Sequence, residues 1–382
     1  MSPLTEPDRQ QEALALLRLL ASAAPAGALR RLLDSHGSAT AALAAGARDW
    51  ASHGLDADTC NAIRDPDADA MARGEAWLDA PDRQLIGWRS TDYPPLLRRI
   101  SGPPAMLFVA GDAGLLWRPS VAVVGSRAAT AGGRANAAAF ATALAGAGLC
   151  VASGLAAGID AAAHMAALDT NGATLAVLGT GPDVAYPLRH RRLLERMAVQ
   201  GAVVSEHLPG TQPLRQHFPS RNRILAGLSL GTVVIEAAER SGALITARLA
   251  ADVGREVFAL PGSIHNPMAR GCHRLIRDGA TLVETPAEVL AVVGPLAADL
   301  ARALRGELGA PIDPSGTRPD PAFLSDPDYN CLWQALGHDP TGMDELVERS
   351  GLTTAELSSM LLALELEGRV AAEHGRYCRI GV

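Results

Sequence analysis

The central part of the chain, between Val121 and Val293, alternates short uninterrupted apolar runs with longer helical patterns, and most of the runs end in a glycine turn. Apolar runs of this length are typical of strands that are buried on both faces of a parallel sheet. They predict strands at Val121 to Val124, Leu149 to Ala152, Thr174 to Leu178, Ala202 to Ser205, Thr232 to Ile235, Glu256 to Ala259 and Thr281 to Val283. The alternation predicts a doubly wound α/β sheet whose ligand site lies at the carboxyl ends of the strands.

The region before this sheet has a helical pattern. Gln11 to Ala21 and Leu29 to Leu33 carry Ala and Leu at helical spacing, so residues 1–85 are predicted to form a small helical domain. A proline-rich connection from Tyr93 to Pro104 favours an extended path, and Met106 to Val109 follows as a further strand. The sheet domain is therefore assigned to residues 86–293.

The region after the sheet changes in composition. Residues 294–326 are rich in Ala, Pro, Gly and Asp and indicate a linker. Residues 327–382 predict three helices followed by a β-hairpin, the plan of a winged-helix domain, with Thr341 capping the second helix and Gly351 ending it. The third helix, over 355–367, carries three glutamates and no arginine. Duplex DNA binding by this helix is therefore not expected, and a contact with a protein fits its charge at least as well.

Positive charge is concentrated in one stretch. The chain has a formal charge of −7, but seven arginines and two acids between Tyr186 and Arg223 give that stretch a net charge of +5. Within it, Arg221, Asn222 and Arg223 precede an apolar helical run, which predicts that they lie at the first turn of a helix. Free N–H groups and the helix dipole make such a terminus an anion site, so a polyanion is the first candidate partner. For each arginine taken alone a solvated helix face is the favoured interpretation, and only their clustering beside glycine turns favours the anion site.

Composition limits the other functions. All 34 basic residues are arginine, so Schiff-base chemistry and a P-loop lysine are excluded. The five cysteines are scattered without a Cys-x-x-Cys pair, which argues against a disulfide framework and against a structural zinc site. The apolar runs are shorter than a bilayer span, and residues 1–8 lack a signal-peptide pattern, so a cytoplasmic protein without a metal site is expected.

Glycine turns at the predicted strand ends are the candidate ligand site. They comprise Gly125-Ser126-Arg127, Ser153-Gly154 through Asp160, Gly179-Thr180-Gly181 and Pro261-Gly262-Ser263. Glycine lets the backbone approach an anion closely, and the hydroxyls of Ser126 and Ser153 can donate to it. One such turn is more often structural than ligand-binding. Four on one sheet edge favour a ligand that presents phosphates at intervals.

Nucleotide and catalytic sites have less support. The dinucleotide fingerprint requires Gly-x-Gly-x-x-Gly and an acid about 20 residues on, but the first turn reads Gly-Ser-Arg-Ala-Ala-Thr and no acid occurs between Ala128 and Ile159. Asp160 and His164 lie four residues apart and could form an acid–base pair. Asp160 is also well placed as a first-turn acid of a helix, and we prefer that structural interpretation. No cofactor and no catalytic residue are therefore predicted.

Eight stretches in order along the chain resemble the DNA processing protein A family, also called Smf, of bacterial natural transformation. They are Tyr93 to Ile100 with Pro103 to Phe108, then Val121 to Arg127, Ser153 to His164, Gly179 to Pro187, Phe218 to Ser229, Glu236 to Ala247, Phe258 to Ile264 and Gly271 to Ala280. The resemblance implies an extended Rossmann-like sheet domain, an N-terminal domain like a sterile alpha motif and a C-terminal winged helix. It also implies a non-enzymatic protein that binds and protects incoming single-stranded DNA, dimerises through the sheet domain and loads the RecA recombinase.

The resemblance assigns roles to residues by motif. The implied DNA contacts are Gly125, Ser126, Arg127, Ser153, Gly154, Arg189, Arg191, Arg221, Asn222, Arg223, Gly262 and Ser263, with His190 an alternative to its two arginine neighbours. The implied dimer surface lies around Ala251, His273 and Leu282, with Arg277 near the recombinase contact.

An enzyme is the competing interpretation. The lysine-decarboxylase-like phosphoribohydrolases have a related sheet and carry Pro-Gly-Gly-x-Gly-Thr-x-x-Glu. Here Gly231-Thr232 follows Leu228-Ser229-Leu230, and the next acid, Glu236, comes one residue late. The nucleotide-cleaving motif is therefore not present as written.

Overall fold

The computed structural model describes residues 6–307, 331–333, 335–336, 341–354, 357, 360–361, 370–373 and 376–379. The chain divides into two compact units, Met1–Leu304 and Arg305–Val382.

The first unit begins with six helices: α1 Glu6–Ala21, α2 Ala26–His36, α3 Ala39–Ala45, α4 Ala47–Ser52, α5 Ala57–Arg64 and α6 Ala68–Leu78. Polar residues start three of them, because Ser38, Asp56 and Asp67 each accept a hydrogen bond from a backbone N–H three residues on. Gly37 ends α2 in the left-handed conformation. The helical pattern predicted for this region is thus present.

Nine strands form one sheet in the order β1-β2-β6-β5-β4-β3-β7-β8-β9. Their bounds are β1 Arg83–Gly87, β2 Met106–Gly111, β3 Ser120–Val124, β4 Cys150–Ser153, β5 Thr174–Leu178, β6 Ala202–Ser205, β7 Gly231–Val234, β8 Glu256–Ala259 and β9 Thr281–Leu282. In this order the seven strands β6-β5-β4-β3-β7-β8-β9 are parallel to one another. At one edge of the sheet, β2 pairs antiparallel with β6, and β1 pairs antiparallel with β2. Every predicted strand is present within a residue or two, which confirms the predicted fold class, and β1 was missed.

Helix α7 Pro95–Arg98 lies between β1 and β2, and α14 Pro286–Glu307 follows β9. The parallel strands are connected by α8 Ala131–Gly146, α9 Ile159–Asp169, α10 Arg191–Gln200, α11 His217–Leu228, α12 Ala243–Asp252 and α13 Arg270–Arg277. Short 3₁₀ turns lie at Ala113–Leu116, Leu188–His190 and Pro267–Ala269. The strand order reverses between β3 and β7, because the chain runs outward from β3 to β6 and then returns to pair β7 with β3. Ligands of open α/β sheets bind at this reversal.

The N-terminal helices share a core with the sheet. Leu17 and Trp77 belong to the same buried cluster as Met106, Phe108 and Val203. Trp77 and Phe108 meet edge to face, with ring centroids 5.3 Å apart. The domain boundary at residue 85, between the N-terminal helices and the sheet, therefore stays a prediction, since one buried core includes residues from both sides of it.

Two predicted boundaries are wrong. Arg221, Asn222 and Arg223 are not at the start of a helix, because α11 begins four residues earlier at His217. The predicted linker begins inside α14, which continues through Pro295 to Glu307. Buried Val289 and Val293 explain this helix, since residues four apart share a helix face and these pack into the core.

In the second unit the described residues form β10 Thr341–Gly342, a helix at Met343–Ser350, β11 Val370–Glu373 and β12 Arg376–Arg379, with the sheet order β10-β12-β11. Gly351 ends the helix in the left-handed conformation, as predicted. Thr341 is not its cap, because it pairs with Tyr377 in the sheet and Gly342 takes the cap position. Most of the third predicted helix lies outside the described residues.

Candidate nucleic-acid interface

A cleft of about 690 Å³ opens at the carboxyl ends of the strands where the strand order reverses. Its walls come from the turn after β3, the segment after β7 with the start of α12, and one side of α11. Five of the residues predicted to contact DNA line it together: Gly125, Ser126, Arg127, Arg221 and Asn222. Residues a hundred positions apart in the sequence are thus brought to one site.

The turn after β3 is held in place by hydrogen bonds of Ser126. The N–H of Ser126 donates to the carbonyl oxygen of Glu236 at 2.7 Å, which ties this turn to the end of β7. The Ser126 hydroxyl accepts from the N–H of Ala128 at 3.1 Å and lies 3.3 Å from the sulfur of Met268. Arg127 is exposed, and its guanidinium lies 5.3 Å from the ring centroid of Phe218.

An aromatic pair on the cleft wall was missed in the sequence. The rings of Tyr186 and Phe218 are 5.0 Å apart at an angle of 38°, and Tyr186 is 41% exposed. With Arg127 over Phe218, they form a cationic aromatic surface on which a nucleic-acid base can stack. The chain is only 4% aromatic, so composition gave no sign of this surface.

Arg221 is the deepest charge at the cleft. It is 5% exposed, and its guanidinium donates to the carbonyl oxygen of Val177 in β5. Burial lowers the pKa of Arg221 to about 10, and the neighbouring carboxylate of Asp160 opposes this shift. Burial likewise raises the pKa of Asp160 above its ordinary value, against the effect of Arg221. Asn222 donates weakly to the carbonyl of Gly242, at 3.4 Å across the cleft.

Ser153 and Gly154 build the wall behind Arg221. Ser153 is fully buried, and its hydroxyl donates to the carbonyl of Val123 at 2.6 Å, so this hydroxyl already has a structural acceptor. A Cβ at Gly154 would lie 1.9 Å from the Arg221 guanidinium. Glycine is therefore required here by the arginine, and the direct DNA contact proposed for both residues stays a prediction.

Arg223 lies in a salt bridge. Its guanidinium holds the carboxylate of Glu206 through two contacts of 2.6 and 2.9 Å, and also donates to the carbonyl of Gly102 at 2.9 Å. The two side chains are 22% and 14% exposed. Because Arg221 and Arg223 are two positions apart on α11, they lie on different helix faces and cannot act as one cluster.

The start of α8, where a nucleotide-binding fold holds its phosphates, is occupied by the protein itself. The Glu236 carboxylate accepts from the N–H of Thr130 at 2.9 Å and from its hydroxyl at 2.6 Å. A Cβ at Gly133, in the first turn of α8, would lie 2.3 Å from that carboxylate. A buried anion thus satisfies this terminus, so it offers no phosphate site.

Asp160 and His164 have separate structural partners. The Asp160 carboxylate accepts from the N–H groups of Gly154 and Ala156 at 3.1 and 3.4 Å. The Nδ1 of His164 pairs with the Thr174 hydroxyl at 2.8 Å, and burial lowers the pKa of His164 to about 3. These contacts agree with the structural interpretation of Asp160.

The remaining predicted DNA contacts lie outside the cleft lining. Arg189 and Arg191 are exposed near the start of α10, and Arg191 pairs with Glu195 at 3.1 Å. Gly262 and Ser263 are exposed in the loop after β8. Two exposed arginines that were not predicted as contacts, Arg215 and Arg240, do line the cleft. Strand order, which the sequence does not give, would have pointed to Arg240 in the segment after β7.

The residues predicted for the dimer surface lie at one end of the sheet. Leu282 belongs to β9, the strand at the sheet edge, and is 46% exposed. Ala251 and Arg277 are exposed as well, and His273 is half-buried with its Nε2 3.0 Å from the carbonyl oxygen of Gly262. None of the helices in the described part of the chain combines the length and hydropathy of a membrane span.

The chain matches known proteins over most of its length. The family profile described as DNA recombination-mediator protein A matches residues 84–294, and that of the DprA winged helix domain matches residues 316–376, which confirms the predicted winged helix. Protein Smf of Escherichia coli is 43% identical over 305 residues, covering 80% of this chain and 79% of the relative. The DNA processing protein DprA of Streptococcus pneumoniae is 50% identical over 199 residues, covering 52% and 70%.

Two solved structures share the fold. The crystal structure of DNA processing protein A from Streptococcus pneumoniae aligns with a TM-score of 0.65 at 38% identity, covering 72% of this chain and 96% of that one. A structure of DNA processing protein A from Helicobacter pylori, described as giving insight into its single-stranded DNA binding mode, aligns with a TM-score of 0.50 at 27% identity, covering 56% and 97%. The profile, the relatives and the fold agree with the motifs, and the chain belongs to the DNA recombination-mediator protein A family.

Proposed function

We propose that this protein binds single-stranded DNA in the cleft at the strand reversal. The observation that carries the proposal is the joint presence there of exposed arginines and an aromatic pair. Arg127, Arg215 and Arg240 can neutralise phosphates, and Tyr186 with Phe218 offers a surface for an unpaired base. The single-stranded DNA binding described for the Helicobacter pylori relative supports the same ligand.

The cleft favours a single strand over a duplex for a geometric reason. Stacking on Tyr186 and Phe218 needs a base whose face is free, and base pairs in a duplex keep their faces stacked on each other. Arginine contacts to phosphate carry no sequence information. Binding should therefore depend on strandedness and salt, with little dependence on sequence.

The finer role follows from membership of the family. We infer that the protein protects incoming strands in the cytoplasm during natural transformation and loads the RecA recombinase on them, acting as a non-enzymatic homodimer. The exposed edge strand β9 with Leu282 supports the dimer contact, since open edge strands pair readily with a second copy. Exposed Arg277 on the neighbouring helix α13 is the proposed recombinase contact.

Gel shifts with single-stranded DNA, duplex DNA and RNA of equal length test the ligand. Single-stranded DNA should shift at the lowest protein concentration, and equal shifts with duplex DNA would refute the proposed use of the aromatic pair. A matched variant, Phe218→Leu, keeps an apolar side chain and removes the ring, so it should weaken single-strand binding by about 1 to 3 kcal/mol. An unchanged affinity would place the bases elsewhere.

The phosphoribohydrolase alternative is not favoured. Both oxygens of Glu236, the acid closest to that motif, already accept hydrogen bonds from Thr130. Incubation with nucleoside monophosphates, followed by chromatography for released base, gives an independent test. Release of base by the wild type and its loss in Glu236→Gln would establish the enzyme and overturn the non-enzymatic role.

A further inference from the structure

Among the described residues, one group of side chains has the composition and spacing of a metal site: His36, Asp49 and His53. His36 is the last residue of α2, Asp49 lies in α4, and His53 follows the end of α4. One ligand atom from each residue lies within 4.8 Å of the other two. The group belongs to the N-terminal helices and takes no part in lining the cleft.

The distances are close to those of a tetrahedral zinc site. The Nε2 of His36 is 2.7 Å from Oδ2 of Asp49, and the Nδ1 of His53 is 3.4 Å from the same oxygen. Ligand atoms at about 2.0 to 2.1 Å from a tetrahedral zinc ion are separated by about 3.3 Å. The pair with His53 already has this separation, and the pair with His36 reaches it by opening about 0.6 Å. The three side chains are 17% to 34% exposed, so solvent can supply both the ion and a fourth ligand.

The other ring nitrogen of His53 has the partner that a metal-binding imidazole needs. Its Nε2 is 2.8 Å from the Ser35 hydroxyl, and such a contact fixes the ring orientation and leaves Nδ1 as the ligand atom. When Nε2 donates to Ser35, the Nδ1 lone pair faces the Asp49 carboxylate and also the Asp49 carbonyl oxygen at 2.9 Å. In the other tautomer Nδ1–H donates to the Asp49 carbonyl oxygen, and a metal ion would bind here by displacing that proton.

The helix ends add to this preference. The free carbonyl groups at the end of α2, where His36 lies, carry partial negative charge that favours a cation. One positive group acts in the opposite direction, because the Arg31 guanidinium donates to the carbonyl of His53 at 2.9 Å. The Asp49 carboxylate and the end of α2 therefore favour a bound cation, and the Arg31 guanidinium disfavours it.

We propose that His36, Asp49 and His53 bind a divalent transition-metal ion of the zinc type, with Ser35 as the positioning residue for His53. Two imidazoles and a carboxylate suit Zn²⁺, and the ion links α2 to α4. Scattered cysteines predicted no structural zinc site, but these ligands are imidazoles and a carboxylate that the fold brings together.

Titration of the full-length chain with Zn²⁺, in competition with a chromogenic chelator, tests the site. The wild type should bind one more equivalent than His36→Gln, Asp49→Asn or His53→Gln, each checked for folding by circular dichroism. His265→Gln, which removes an exposed histidine outside the group, should bind as the wild type does. Ser35→Ala should keep the equivalent with an affinity about 10-fold weaker, and Arg31→Gln should bind more tightly.

A second measurement separates the metal from a proton. Zn²⁺ should raise the thermal midpoint of the wild type and leave that of His36→Gln unchanged, whereas Mg²⁺ should affect neither. Equal zinc uptake by the wild type and all three ligand variants would place the ion elsewhere, for example at the exposed Cys331. If zinc uptake is equal and only the wild type has a thermal midpoint that depends on pH, His36, Asp49 and His53 share a proton and do not bind the metal. Either result overturns the proposal.

Discussion

Removal of the Arg127 charge is the sharpest test of the cleft. The described residues include no carboxylate within ion-pair distance of this exposed side chain, and its guanidinium lies over Phe218. Arg127→Gln should therefore leave the fold intact while deleting one phosphate contact. A hydrogen bond to a charged group is worth about 1.5 to 3 kcal/mol. The dissociation constant for single-stranded DNA should rise about 10- to 150-fold.

The salt dependence gives a second magnitude for the same change. Each neutralised phosphate of a single strand contributes about −0.7 to the slope of log K against log salt concentration. The three cleft arginines, with up to two further contacts, imply three to five phosphates and a slope of about −2 to −3.5 for the wild type. Arg127→Gln should make the slope less negative by about 0.7.

Fluorescence anisotropy of a labelled oligothymidine, measured over a series of salt concentrations, gives both quantities. The matched control is Arg64→Gln, which changes the net charge equally at an exposed position on α5. If Arg127→Gln and Arg64→Gln weaken binding equally, or if the slope of the Arg127 variant equals that of the wild type, this arginine does not contact phosphate. Either result would contradict the proposed binding of single-stranded DNA in the cleft.

Gly154→Ala should lower the free energy of unfolding by about 3 kcal/mol, because the new Cβ displaces a buried guanidinium and breaking buried charge contacts costs about 3 to 5 kcal/mol. Gly146→Ala, whose Cβ meets nothing within 4 Å, is the control, and equal urea midpoints would contradict the contact. The pKa of His164 in the folded state, about 3, is below its unfolded value of about 6.5; protonation thus favours unfolding, and stability should fall as the pH drops from about 6.5 towards 3. His164→Gln should flatten this dependence, and an unchanged urea-derived profile would assign it to other groups. His273→Glu combined with Leu282→Arg should give a monomer in sedimentation, since a two-fold contact would bury each new charge twice; a variant that sediments like a dimeric wild type would place the interface elsewhere.

The sheet could be predicted from the sequence because its strands are buried on both faces. Continuous runs such as Val121 to Val124 have no polar alternation, and a glycine turn follows most of them. β1 was missed because Arg83 and Gln84 give an edge strand a mixed pattern. The start of the linker was misplaced because it was assigned from composition, whereas α14 continues through Pro295 to Glu307 with Val289 and Val293 packed in the core.

The site was harder to predict because charge in a sequence does not reveal its partners. Several arginines of the +5 stretch are neutralised by acids that fold against them, as Arg223 is by Glu206 and Arg196 by Asp169. Arg221 is buried beside Asp160. The glycine turns pointed to the turn after β3, which lines the cleft. The cleft wall from Arg240 and Phe218 depends on strand order and side-chain packing, which no local motif contains.

The shared core of the N-terminal helices and the sheet has a consequence for cooperativity. If the helices detached, Trp77 and Phe108 would both be exposed, and apolar surface costs about 25 cal/mol per Å² in water. Neither part can therefore melt early without weakening the other, and we expect heat to unfold them in one transition. A ligand that tightens the contact between α2 and α4 would raise the melting temperature of the distant cleft as well, without moving any residue in it.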